Sequence, residues 1–111
     1  MSAFVQEITA AQFDEEVLAA TTPVVLDFFS TECPPCEALA PKFDAVAEQL
    51  EGKVRFLKIF RQGNRELASR LGVSGSPTLL FFKAGLEVAP RMSGEEIPRS
   101  GIKATAQAML A

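Results

Sequence analysis

Histidine, tryptophan and tyrosine are absent from this chain of 111 residues, and cysteine occurs only twice. Without histidine there is no Cys–His nucleophile pair and no zinc site of the mixed Cys/His kind. Two cysteines cannot complete a four-thiolate site unless a second chain contributes, so neither a metal nor any other cofactor is expected. Basic residues are too few and too scattered for a nucleic-acid surface: 11 Lys and Arg stand against 14 Asp and Glu, a net charge of −3. No apolar run reaches membrane-spanning length, so no membrane partner is expected. The opening Met1-Ser2-Ala3-Phe4 has neither the basic nor the apolar region of a signal peptide, which makes the cytoplasm the expected compartment. Hydrophobic residues are 48% of the chain, enough for one domain over residues 1–111 to bury a core without staples. Nine phenylalanines supply most of the bulk of that core.

The pattern along the chain is one of alternating strands and helices. Residues 4–8 read as a short strand. Thr9-Ala10-Ala11-Gln12 matches a capping box that opens a helix to about Ala20, with Phe13, Val17 and Leu18 on its apolar face. Val24-Val25-Leu26-Asp27-Phe28-Phe29 is almost wholly apolar, as a strand covered on both faces should be. A helix over about 35–50 follows, its apolar face built from Leu39, Phe43, Val46, Ala47 and Leu50. Pro35 suits its first turn, whereas Pro41 lies in its interior and should kink it. Residues 54–60 form the next strand, Asn64 is placed to cap a short helix ending at Gly72, and 78–83 is another apolar strand. Ala84-Gly85 reads as a hairpin turn into a strand over about 87–92, and Pro98 opens a last helix. The order β-α-β-α-β-α-β-β-α implies an α/β domain with a central, mixed, five-stranded sheet flanked by four helices.

Both cysteines fall in one tetrapeptide, Cys33-Pro34-Pro35-Cys36, directly after the first buried strand. A disulfide closing so short a loop stabilises a fold by about 2 kcal/mol at most in the chain-entropy model. Such a pair is better suited to being made and broken than to holding a fold together, and beside a strand–helix pattern it reads as a redox motif. The alternative is a pair of buried, inert thiols. Cys33 stands at the start of a helix, where the dipole and free N–H groups favour a thiolate. Cys36, one turn into the helix, is placed to resolve a mixed disulfide on Cys33. Asp27 is a carboxylate in an apolar strand. Burial would raise its pKa toward neutrality unless it is paired, and Lys58 in the adjacent candidate strand is the expected partner.

The chain resembles the thioredoxin family over nearly its whole length. The resemblance rests on Asp27-Phe28, the Cys-Pro-Pro-Cys motif, Pro41, Lys58, Ser76-Pro77-Thr78, Phe82-Lys83-Ala84-Gly85 and Gly94. It implies the thioredoxin fold and thiol–disulfide exchange, with Asp27 shuttling the Cys36 proton and Pro77 as a cis-proline facing the cysteines. It also implies a substrate groove at Glu32, Pro34, Ser76, Pro77, Ser93 and Gly94. Implied partners are client protein disulfides and a reductase that donates electrons to a monomeric carrier.

Several residues depart from the family pattern. Pro34 stands where glycine is usual, Glu32 replaces the Trp before the first cysteine, Glu37 replaces a basic residue after the second, and Phe29 replaces another Trp. Lost N–H donation and added negative charge both disfavour the Cys33 thiolate. A raised Cys33 pKa and a potential at least as reducing as that of an ordinary thioredoxin are therefore expected. Ser76 and Ser93 replace apolar rim residues, which should make the groove more polar and favour a dedicated reductase over a generic one. Two other readings stay open: an oxidant or isomerase of an oxidising compartment, and a thioredoxin-fold binding module whose cysteines are incidental.

Overall fold

A computed structural model describes residues 3–111. The reading of Met1 and Ser2 as part of a non-leader start lies outside these residues. Four strands form the body of one sheet: β1 (Val5–Ile8), β2 (Val24–Phe29), β3 (Arg55–Phe60) and β4 (Thr78–Lys83). They lie in the order β1-β3-β2-β4, with β1 and β2 parallel to β3 and β4 antiparallel to β2. Among the described residues three α-helices accompany them: α1 (Pro34–Gln49), α2 (Arg65–Arg70) and α3 (Arg99–Ala108). Pro41 lies inside the continuous helix α1.

Strand alternation sorts the side chains into two cores, because successive residues of a strand face opposite sides. Val25, Phe56, Leu79 and Phe81 pack with Leu39, Phe43 and Val46 of α1 and with Ile102 and Ala106 of α3. Val24, Leu26, Phe28, Leu57 and Ile59 pack on the other side with Leu67 and Ala68 of α2 and with Phe13 and Val17. By the same alternation Asp27 and Lys58 belong to the side covered by α1.

The segment expected to be an α-helix to Ala20 is instead a 3-10 turn, Ala10–Gln12, followed by a π-helical turn, Asp14–Leu18. Tertiary partners override the helical pattern here. The expected capping box is present, with Gln12 Oε1 accepting the Thr9 N–H at 3.0 Å, but the Ala10 N–H goes to the distant Asn64 Oδ1 at 2.8 Å. Further on, the Ala19 N–H reaches back five residues to Asp14 O at 2.9 Å, and this wider turn lets Phe13 and Val17 both enter the core. Asn64 stands at the N-cap of α2, but its side chain makes no cap bond and instead ties Ala10 to Phe60 O.

The last strand of the expected hairpin is present in two pieces, β5 (Leu86–Glu87) and β6 (Met92–Ser93), each antiparallel to β4. Pro90 between them has no N–H to give to a ladder. Arg91 leaves the sheet direction to bind both Glu87 carboxylate oxygens (2.7 and 3.0 Å) and the carbonyls of Leu71 and Gly72 beyond α2. At the hairpin tip Ala84 (φ +53) and Gly85 (φ +79) are both left-handed, the geometry of a type I′ turn. A Cβ on Gly85 would come within 2.9 Å of Leu18 O. Gly85→Ala should therefore lower stability by about 1–3 kcal/mol, read as a shift of the urea midpoint. An unchanged midpoint would show that the Leu18 backbone yields freely.

Candidate active site

The redox motif sits beyond the C-terminal end of the central strand β2, where α1 begins. Cys33 is the N-cap of α1, with Pro34 and Pro35 as its first helical residues. Proline is well placed there because the first N–H groups of a helix have no partner within it. Neither proline has an N–H, so the first amide of the helix able to turn toward the cap is that of Cys36, which donates to Cys33 Sγ at 3.3 Å. The Cys33 sulfur thus does what a serine hydroxyl does at many helix starts. The Glu37 N–H donates to Cys33 O at 3.0 Å and begins the regular helix. Cys33 and Cys36 are disulfide-bonded, their Cα atoms 5.2 Å apart.

Exposure does not distinguish the two cysteines, since each is 9% accessible. Position does. Cys33 lies outside the helix, with its Sγ 3.7 Å from the carbonyl oxygen of Ser76. The Ser76–Pro77 bond is cis. Ser76, Pro77, Ser93 and Gly94 line one groove of about 350 Å³ together with Arg91. The pairing of Thr78 with Ser93 brings the late segment there, and Gly94, at φ +101, turns the chain away. Glu32 and Pro34 are exposed beside the cysteines, outside that groove. Glu32 adopts φ +50, a left-handed conformation that glycine would hold with less strain.

Asp27 is 6% exposed, and its Oδ1 is buried without a hydrogen-bond partner. Burial pushes its pKa from 3.8 up to about 7, and the positive charge of Lys58 offsets part of that rise. Lys58 stands directly opposite Asp27 in the β2–β3 register. Its ammonium lies 5.2 Å from the centroid of the Phe29 ring, within cation–π range. A phenylalanine where the family carries tryptophan still gives this lysine an aromatic face.

Two arginines and a serine near the motif carry no sequence signal of a role. The Ser30 and Ser76 hydroxyls are 2.5 Å apart, and Arg61 Nε donates to Ser76 Oγ at 2.9 Å. Arg61 follows β3, Ser30 follows β2 and Ser76 precedes β4, so only the strand order brings them together. Arg91 ties the last segment of the groove to the end of α2. Among the described residues no three His, Cys, Asp or Glu side chains gather where they could hold a metal ion, and no helix is long and apolar enough to cross a membrane.

The sequence itself points the same way as this geometry. A family model described as thioredoxin matches residues 4–108. The chain is similar to thioredoxin 1 of Nostoc sp., 41% identical over 88 residues that cover 79% of this chain and 81% of the relative. It is 34% identical to the thioredoxin of Porphyra purpurea over 101 residues, 91% of this chain and 92% of the relative. The thioredoxin of Pseudomonas aeruginosa is 38% identical over 85 residues, 77% and 79% of the two chains. With a dithiol pair in the position, spacing and surroundings of a redox motif, the chain belongs to the thioredoxin family of thiol–disulfide oxidoreductases.

Proposed function

We propose that this oxidoreductase works as a reductant of protein disulfides, with Cys33 attacking and Cys36 resolving. The placement of Cys33 Sγ carries the reading: it caps α1 and faces the Ser76 carbonyl at the groove. The Cys33 thiolate attacks one sulfur of the client disulfide. The client S–S bond breaks, one client sulfur leaves as thiolate, and a Cys33–client bond forms. Cys36 then gives its proton to Asp27 and attacks Cys33 Sγ. The Cys33–client bond breaks, the Cys33–Cys36 bond forms, and two electrons have passed to the client. A group with a pKa of about 7 can take and return that proton near neutral pH. Lys58, opposite Asp27, favours the ionised carboxylate and so helps keep it able to accept that proton.

Glu32, Pro34, Ser76, Pro77, Ser93 and Gly94 form the client surface in this reading. An extended client segment pairs with the Ser76 backbone, which offers main-chain hydrogen bonds at a sheet end. The polar serines at the rim favour a dedicated reductase as electron donor. The chain acts as a monomer in the cytoplasm.

Acceleration of insulin reduction by dithiothreitol tests the activity, and equilibration with glutathione tests the direction. The expected potential is at or below about −270 mV, that of an ordinary thioredoxin. A value near about −120 mV, typical of a strong oxidant, would overturn the reductant reading.

A further inference from the structure

The Ser76–Pro77 groove does not end at Pro77. It shares Gly72 and Ser74 with a second depression of about 590 Å³ that contains Arg61 and Arg65 and is lined by no acidic residue. A segment lying along Ser76 beside Cys33 would therefore run on toward two cations. This is unexpected in a chain whose net charge is −3 and whose motif is flanked by Glu32 and Glu37.

The cations near the groove are not equivalent. The Arg91 guanidinium is occupied by both oxygens of Glu87 and by two carbonyls. Arg61 is held from two sides: its backbone N–H donates to Phe29 O at 2.8 Å, and its Nε donates to Ser76 Oγ at 2.9 Å. The Ser30 hydroxyl holds Ser76 Oγ in turn. A guanidinium carries five N–H donors, so four remain, and none has a partner among the described residues. They form the planar fork that matches a carboxylate. Its orientation is set before any partner arrives, which reduces the entropy lost on binding.

We propose that Arg61 is a specificity-determining residue, which binds an acidic side chain next to the reacting cysteine of the client or reductase. The inference rests on the assignment of Cys33 as the attacking sulfur. Arg61 takes no part in the bond changes. It orients the segment that brings the disulfide to Cys33, so its effect falls on substrate binding rather than on the chemical step.

The test uses the pre-reduced protein in single turnover with two disulfide-bonded peptides. The peptides are identical except that Glu or Gln flanks the reacting cysteine on both sides. The wild-type protein should prefer the Glu peptide by about 10-fold, the scale of one oriented charge-assisted pair. The preference should appear as tighter binding at an unchanged maximal rate. Arg61→Gln should bring the ratio of the two rates close to one. Arg99→Gln, which removes the same charge from the helix on the opposite side of the sheet, should leave the ratio as in the wild type. Equal rates for the two peptides with the wild-type protein would overturn the inference, as would a preference that survives Arg61→Gln. Equal slowing of both peptides by Arg61→Gln at an unchanged ratio would also overturn it, and would place the effect on the Cys33 thiolate. Reduction of neither peptide would overturn the reductant reading on which this inference also rests.

Discussion

Asp27→Asn should make the protein more stable at pH 8 by about 2–4 kcal/mol and leave it nearly unchanged near pH 4. Burial raises the carboxyl pKa from 3.8 to about 7. Between these values the folded chain holds a proton that the unfolded chain has released. Stability therefore falls as pH rises through this window, and the full penalty applies above pH 7. At about 1.4 kcal/mol per pH unit, the gap amounts to about 4 kcal/mol. The pKa of about 7 already includes the attraction of Lys58, so about 4 kcal/mol is the upper end of the gain from asparagine. Urea midpoints at pH 4, 6 and 8 would show a sloping wild type and a flatter variant. A difference between the two that does not change with pH would mean that the buried carboxyl is not the cause. The same variant should slow turnover, since Cys36 then has no acceptor for its proton. Here the residue assigned to catalysis is held at the expense of the fold.

Cys33→Ser should abolish disulfide reduction, with a loss of about 1000-fold or more in insulin turnover. A hydroxyl is far less ionised than a thiol at neutral pH and is a poor nucleophile toward a disulfide sulfur. Cys36→Ser should stop turnover as well, but by a different route. Cys33 would still attack, and with no resolving thiol the mixed disulfide would accumulate. Non-reducing gels would then show client-sized adducts with Cys36→Ser and none with Cys33→Ser. Adducts that form with Cys33→Ser instead would reverse the two roles. Cys36 is the helix amide that bonds Cys33 Sγ. That bond comes from its backbone, so serine at this position leaves the cap intact.

The legible parts of the fold were those set by local pattern. Val24-Val25-Leu26-Asp27-Phe28-Phe29 reads as a strand covered on both faces, and it is one of the two central strands. Asp27 stood out because it broke that run, and the register does place Lys58 across from it. Ala84-Gly85 announced its turn through the glycine. What could not be read depended on contacts between distant residues. The segment after Thr9 has a helical pattern, yet Asn64, 54 residues away, takes its first amide. The final strand is divided because Pro90 cannot join a ladder and Arg91 is drawn toward α2. Arg61 carries no local signal of a role. Its place beside Ser76 depends on β2 lying between β3 and β4, which no short stretch of sequence encodes.

The two prolines that begin α1 have a kinetic consequence as well. Each fixes its own φ near −65°, so the reduced loop between the cysteines has few other shapes to adopt. Cys36 is then held near Cys33 at a high effective concentration even when no bond joins them. Preorganisation of this kind speeds an intramolecular step without changing the chemistry of either sulfur. On the proposed roles of the two cysteines, a mixed disulfide on Cys33 would accordingly be resolved quickly.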